Sequence, residues 1–318
     1  MGNIGLGINS NFGYAEETTY GTRVEPSGFL NVTSEGLVLN QSFTPINTLG
    51  KVYNEYYVNG KRSVEGSVEL PCTYDKTTGI FLKHALGSVS TSSAGIVKTH
   101  TILPSGTIPV GLSLYVDRDI NAYAYAGCQI SSLTLTQEVE NTLNMSVEVK
   151  GKEETKVNDS TVTITAPKYI VWEDFSNTVS ASGVVASGIV IKSMNVQIQN
   201  TLAEDRFGLG SNLKVGQDRG GMRTVNGSMT LEFSDAANYD WYRNALEISG
   251  NFVWTGPVIS GTLTNKLEID IPRMKVEGTT PNAGGVETMD LEIPFTAYYS
   301  SGTGYEIKAV LTNTDATI

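Results

Sequence analysis

The chain has 318 residues, of which 40% are hydrophobic and 17% charged, proportions that are typical of a globular protein and not of a disordered one. Its formal net charge is −11 and its basic residues form no cluster in the sequence, which argues against a protein that grips the phosphates of nucleic acid. There is no signal-peptide pattern and no apolar run near the ~18 residues of a membrane span, and two cysteines are too few for a disulfide framework. We expect a product that is made soluble in a cytoplasm, with free thiols.

The N-terminal stretch 2–22 is rich in glycine and polar residues and lacks the periodicity of a core element. It predicts an extended arm. A frayed terminus is the alternative, but Phe12, Tyr14 and Tyr20 are aromatic residues that favour docking on a neighbouring molecule.

A first strand region is predicted over 29–43, followed by a loop at 44–60 that is longer than an ordinary hairpin connection. This loop carries Tyr53, Tyr56 and Tyr57, which indicate a contact surface between molecules.

The next stretch occurs twice. Arg62–Leu70 and Arg223–Leu231 share Arg, Val, Gly, Ser and Leu at matching positions, and each is followed by a helical segment that ends in Ala-Leu. Self-similarity at a fixed offset indicates a duplicated unit. We therefore predict a first domain over 1–160 and a second domain over 161–318.

Both copies of the repeated stretch alternate apolar and polar residues, as a strand with one buried and one wet face does. The helices are predicted over 77–86 and 236–247, with Asp75 and either Ser234 or Asp235 as N-caps and Trp241 in the core.

The second copy has its own strand at 189–200 and a long loop at 201–219, placed like those of the first copy. Phe207, Leu209 and Leu213 make this loop a second candidate contact surface. Further along, the two copies come back into register only if the first carries about twenty extra residues after its helix.

A search for catalytic or ligand-binding motifs returns little. His84 and His100 are the only histidines, and the glycine-rich stretches lack the strand and helix context of a phosphate loop. The stretch 117–128 starts like a calcium loop but has Ala122 and Cys128 at positions that the loop needs for glycine and a carboxylate. We expect no enzyme, no cofactor and no metal site.

The polar faces of the predicted strands carry more acids than bases. An ordinary solvated sheet face is one interpretation. The sharper hypothesis is a smooth anionic surface along which DNA passes without sticking. The residues that would line such a channel are Glu65, Glu69, Thr134, Glu138, Gln197, Asn226, Thr230, Asp290 and Glu292.

The stretch Phe12–Thr22 resembles the N-terminal signature of bacteriophage tail tube (major tail) proteins, and the resemblance continues through Ser34-Glu35, Gly66-Ser67-Val68 and the segment from Tyr74 to Gly87. It implies a mainly β fold of two tandem tail-tube-type β-sandwich or barrel domains, each with one short flanking helix. An extended N-terminal arm and long loops between rings complete the expected fold.

In function, the resemblance implies a structural virion protein that forms stacked rings, here trimers with pseudo-sixfold symmetry because the unit is duplicated. The ring would be a negatively lined conduit for DNA ejection in the virion tail, assembled in the host bacterial cytoplasm. The implied partners are other copies of the chain, the tape-measure protein, the tail terminator and distal tail proteins, and passing DNA without specific binding. No membrane partner is implied. The alternative is a β-sandwich virion decoration protein or carbohydrate-binding module, which predicts a concave site with exposed Trp or Tyr.

Overall fold

The structure is a computed structural model that describes residues 4–158, 162–164, 166–186, 188–278, 280–281 and 288–318. As predicted, it is mainly β with two short α-helices. The strands are β1 (Asn11–Glu16), β2 (Gly28–Leu30), β3 (Ser34–Glu35), β4 (Val38–Ile46), β5 (Tyr56–Pro71), β6 (Gly87–Ala94), β7 (Val97–Pro104), β8 (Leu112–Asp117), β9 (Ala122–Glu138), β10 (Asn144–Gly151), β11 (Glu153–Val157), β12 (Phe175–Ala181), β13 (Val184–Val185), β14 (Ile191–Gln199), β15 (Thr224–Glu232), β16 (Glu247–Ser260), β17 (Leu263–Val276), β18 (Asp290–Ala297) and β19 (Lys308–Asn313). The helices are α1 (Lys76–Leu86) and α2 (Ala236–Arg243), with 3₁₀ turns at Gly7–Asn9 and Trp172–Asp174.

One wide antiparallel sheet runs through both copies of the repeat, in the order β4, β5, β10, β9, β14, β15, β18. The copies meet where Ser193–Gln199 of β14 pair with Ser132–Glu138 of β9. The strand β5 lies between β4 and β10, and β15 lies between β14 and β18. Because β14 corresponds to β4 and β18 to β10, the repeated strands occupy equivalent places in the sheet. The duplication read from the sequence is therefore a duplication of sheet topology.

Further sheet layers cover the apolar face of the wide sheet. One contains β2, β1, β8, the first half of β9 and β11. The other contains β13, β12, β16, β17, β19, β7 and β6. The strand β9 belongs to two layers because its first half pairs with β8 and β11 and its second half with β10 and β14.

The core lies under the apolar face of the repeated strands. Val64, Val68 and Leu70 of β5 are buried, as are Val225, Met229 and Leu231 of β15. A glycine is required in β5 because Gly66 has φ +152° and a Cβ there would lie 2.2 Å from the Gly36 carbonyl oxygen. Gly227 is equally constrained, by the Asn195 carbonyl oxygen at 2.3 Å. The glycine of the repeat thus marks a close backbone approach in both copies.

The N-terminal segment differs from the predicted extended arm. Its residues 11–16 form β1, which pairs with β2 and β8 inside the first layer. Phe12 and Tyr14 are each only 1% exposed, and the Tyr14 ring lies 6.3 Å from that of Phe81 in α1. Two of the three aromatic residues that suggested a docking arm, Phe12 and Tyr14, belong to the chain's own core.

The helices begin where the sequence predicted. Asp75 accepts a hydrogen bond from the Thr77 amide and Asp235 from the Ala237 amide, each at 2.9 Å, so both are N-caps. Trp241 is buried, as predicted. The second helix ends at Arg243 and not at Glu247, because Ala245 takes a left-handed conformation (φ +50°) and β16 starts at Glu247.

The extra residues of the first copy form the hairpin β6–β7, which follows α1 directly. The second copy passes from α2 straight into β16. On its far side β7 pairs with β19, the last strand of the second copy, with Ile102 opposite Ala309. Within the described residues, two strand pairings therefore join the copies, β9–β14 and β7–β19. The join predicted near 154–168 includes residues outside the described part of the chain.

Candidate assembly surfaces

All nine residues predicted to line a channel lie on one face of the wide sheet, the polar face. Thr134 is opposite Ser146 on one side and Gln197 on the other, and Ser146 and Gln197 lead on to Glu69 and Asn226. A parallel row is formed by Glu138, Ser193, Thr230 and Glu292. Glu65 and Asp290 share this face because each is an even number of residues from a member of these rows. The structure brings these side chains together across both copies.

Two of the acids on the polar face are ion-paired. Glu65 accepts a hydrogen bond from the Lys150 ammonium at 2.8 Å and one from Asn40, and the pKa of its carboxyl is lowered by these two groups in that order. Asp290 pairs with Lys192, whose pKa the carboxylate raises. The net negative charge of this face is therefore smaller than its count of acids suggests.

Two other acids of the polar face have neutral partners. Glu69 accepts from the Ser34 hydroxyl at 3.0 Å, and Glu138 accepts from the Asn141 amide at 3.3 Å. Between them the amides of Gln197 and Asn195 donate to the Ser132 and Ser228 hydroxyls. Hydroxyl, amide and carboxylate groups that bond to one another give a hydrated surface, and its described residues form no cationic patch that would bind phosphate.

The second candidate surface is the hairpin tip, which we define as residues 43–58 at the turn between β4 and β5. The two strands pair as far as Ile46 and Tyr56, so the predicted loop is mostly an extension of the hairpin. Its apolar residues stand in solvent, and Tyr57 is 68% exposed while packing edge-on against Phe43. The exposed set is Phe43, Ile46, Leu49, Val52, Tyr53, Tyr56, Tyr57 and Val58. Exposed apolar residues gathered at one tip make it a candidate interaction surface.

The loop of the second copy, 201–222, lies on the first copy of the same chain. The Arg62 amide donates to the Asn212 carbonyl at 2.8 Å, and the Lys61 ammonium pairs with Asp205 and lies 4.8 Å from the Phe207 ring centre. Phe207 and Leu213 are half-buried, whereas Leu209 is fully exposed. Of the three predicted contact residues, Leu209 is the one with a fully exposed side chain.

Two of the three N-terminal aromatics predicted as contact residues are buried in the subunit. Phe12 and Tyr14 are buried and therefore not available to a neighbouring molecule. Tyr20 is half-buried, with the Lys152 ammonium 5.8 Å from its ring centre and its pKa raised by burial. The exposed apolar residues at this end are instead Ile4, Leu6 and Ile8, which sequence reasoning passed over because glycines separate them.

A polar cluster that the sequence did not reveal holds the two copies together. The Asn200 side-chain amide donates to the Ala85 carbonyl at 2.9 Å, and an Arg223 Nη donates to the Leu86 carbonyl at 2.6 Å. These carbonyls end α1. Arg223 Nε also donates to Asn200 Oδ1 at 3.1 Å, and its guanidinium pairs with Glu306. We call Asn200 and Arg223 the clamp, since together they fix the second copy on the helix of the first.

As far as the structure describes the chain, the wide sheet has an open edge at each end. In the described part of the chain, the outer edge of β4 has no strand partner. At the other end β18 pairs with β17 only through Phe295–Ala297, which leaves its earlier residues without a described strand on that side. Open edges bind further strands.

Little in the described residues points to catalysis or metal binding. They contain no cluster of three or more His, Cys, Asp or Glu with the geometry of a metal site. Cys72 and Cys128 are buried free thiols, and burial raises the pKa of both, so they are not activated nucleophiles. Neither described helix has the length and apolar character needed to cross a membrane.

The chain matches a known protein family. Residues 7–297 fit the family model described as phage tail tube protein, which covers nearly the whole chain. No curated protein matches the sequence.

Proposed function

The chain belongs to the phage tail tube protein family, and we propose that three copies close into a ring of pseudo-sixfold symmetry that stacks into the tail tube. As a member of this family it is a structural component of the virion tail. The ring, its stacking and its use as a conduit for DNA are the proposal.

The observation that supports it best is the β9–β14 joint. Two copies of the repeat already sit side by side in one continuous sheet within a single chain. The same joint, repeated between β4 of one chain and the open edge near β18 of the next, would continue the sheet around a ring. Closure into a barrel leaves no open edges, which is a physical reason for assembly.

The size of such a ring follows from strand spacing. Three chains would supply about 24 strands, counting the end of β17 as the last strand in each. At ~4.8 Å per strand the wall would measure about 115 Å around, or roughly 37 Å across before strand tilt widens it. The channel would be wide enough for a nucleic-acid duplex, with the polar face inside because the opposite face is buried in the core.

The polar face suits a conduit because it offers DNA neither a cationic patch nor an apolar one. Negative groups repel phosphate within a Debye length of ~8–10 Å, so a passing duplex would stay hydrated and would not stick. The exposed hairpin tip and Ile4, Leu6 and Ile8 would contact neighbouring rings. During assembly in the host cytoplasm the lumen would hold the tape-measure protein, and the tube ends would meet the tail terminator and distal tail proteins.

Negative-stain microscopy of the purified protein over a range of concentration and salt tests this proposal. Hollow filaments or stacked rings with three chains per ring, measured by light scattering of the ring species, are the expected result. Monomers alone at every concentration would contradict it and would favour the decoration or carbohydrate-binding alternative.

A further inference from the structure

Arg62 of the first copy occupies the position of the clamp residue Arg223 in the repeated strand. Its strand partner Gln41 sits beside it as Asn200 sits beside Arg223. Yet the Arg62 Nε is buried and finds no hydrogen-bond partner in the described chain. A buried donor left without an acceptor destabilises a structure. Because this atom is buried within its own chain, its acceptor is expected to be Gln41, as Arg223 Nε binds Asn200, and an outside partner would bind the Nη groups.

The helix ends show the complementary difference. In the first copy the end of α1 is covered, with Ala85 and Leu86 almost completely buried beneath the clamp. In the second copy the turn after α2 is exposed at Asn244 and Ala245. One copy thus has a helix end with its clamp, while the other has a helix end without one. The arginine–amide pair of the first copy, Arg62 and Gln41, has no helix end to bind within the described chain.

We infer that Arg62 and Gln41 form a second clamp. It binds the turn after α2 (Asn244–Leu246) of the next chain in the ring. This inference rests on the proposed ring, because β4 must adjoin the second copy of the next chain. The direction agrees with the first joint, where the clamp belongs to the copy that contributes β14 and the helix to the copy that contributes β9.

The chemistry at this turn fits a guanidinium. The carbonyl groups at a helix C-terminus carry partial negative charge and accept hydrogen bonds from arginine. Glu247 follows the turn and offers a carboxylate, as Glu306 does to Arg223. Within one chain Lys275 donates to the Ala245 carbonyl and Arg273 pairs with Glu247. The second clamp therefore has to share these acceptors, and it would be weaker than the first.

A disulfide trap tests the contact directly. Gln41→Cys combined with Asn244→Cys places one thiol on each side of the inferred interface, and Cys72 and Cys128 are buried and will not interfere. After mild oxidation of assembled protein, we expect covalent dimers and trimers on a non-reducing denaturing gel. Each single variant, and the mismatched pair Gln41→Cys with Val184→Cys, should stay monomeric on the same gel.

Substitution of the arginine tests the clamp itself. Arg62→Ala should raise the critical concentration for assembly about ten- to hundredfold, as expected for loss of charge-assisted hydrogen bonds. Arg62→Lys should fall between, because lysine keeps the charge but not the planar fork. Arg23→Ala, which removes an exposed arginine paired with Glu25, is the matched control and should assemble normally. A thermal melt of each variant monomer separates an assembly defect from misfolding. Gln41→Ala is melted with them, because this side chain is exposed and its loss should not unfold the monomer.

The outcomes are distinct. If the wild type forms filaments but the assembled double-cysteine variant does not cross-link, this contact is overturned and the proposed ring is left standing. A cross-link with normal assembly of Arg62→Ala would overturn the clamp while keeping the placement. Failure of the wild type to form any ring would overturn the proposed function and this inference with it.

Discussion

At the residue scale, the surroundings of Glu16 lower the pKa of its carboxyl strongly. It accepts hydrogen bonds from His84 Nε2 at 2.8 Å and from the Lys83 ammonium, and the His84 bond is the main reason that its pKa falls to about 2. Burial lowers the pKa of His84, which therefore donates as a neutral ring. This pair fixes the end of β1 to α1.

A pH-dependent contribution to stability follows. A carboxyl group with a pKa depressed on folding stabilises the fold above its unfolded pKa of about 4.5, and that contribution is lost as the pH falls towards 2. Glu16→Gln should lower the free energy of unfolding at pH 7 by about 1–2 kcal/mol, less than full linkage because the side chain is 40% exposed. The gap between variant and wild type should close by about pH 2.

Chemical denaturation at a series of pH values measures that gap. Glu25→Gln is the control, since Glu25 is a largely exposed partner of Arg23 and its replacement should change little at any pH. A difference between Glu16→Gln and wild type that persisted unchanged down to pH 2 would contradict the assigned pKa.

At the element scale, we expect changes in the hairpin tip to affect assembly but not the folding of the subunit. Its side chains stand in solvent, so the folded subunit does not need them, and the pair Ile46–Tyr56 closes the hairpin below the turn. Replacing 47–55 by Asn-Gly, the residues of a tight two-residue turn, should leave the melting temperature of the monomer within a few degrees of wild type. Filament length should fall sharply, as measured by microscopy and sedimentation.

The matched control replaces exposed apolar residues elsewhere. Val184→Ser with Val185→Ser removes a comparable exposed patch on β13 and should leave filament growth unchanged. Normal filaments from the shortened hairpin would show that this tip has no part in stacking.

The repeated strands, the N-caps and the burial of Trp241 were all predictable because each depends on local periodicity or on a short capping motif. The N-terminal strand was not, since β1 depends on pairing with β8 about a hundred residues away and its Phe12 and Tyr14 look the same in an arm as in a core. Likewise nothing local marks Arg223 as the group that joins two copies, because the carbonyl that it binds across the joint belongs to Leu86 of α1.

At the scale of the whole molecule, reversing charges on the polar face should make the tube bind DNA. Glu65 is neutralised by Lys150, so Glu69 and Glu138 are the better positions to change. Tubes of Glu69→Lys with Glu138→Lys should still assemble but should retain short duplex DNA, with an affinity that falls steeply as salt rises. Wild-type tubes should bind none under the same conditions.

Glu25→Lys with Asp240→Lys makes the same change in net charge away from the polar face and serves as the control. Co-sedimentation of labelled DNA with the tubes from 50 to 200 mM salt (roughly the range over which such binding weakens most) gives the comparison. Equal DNA retention by the two variants would contradict the placement of the polar face in the lumen.

The hairpin β6–β7 has a mechanical consequence. Because β7 pairs with β19, two strand pairings join the two copies within a chain. A joint between chains in the proposed ring would lack the second pairing, since α2 leads directly into β16. We expect a ring of three chains to alternate stiff and compliant joints. Such a ring would flex in a threefold manner even though its wall looks sixfold, and a tube built from it would bend at the joints between chains.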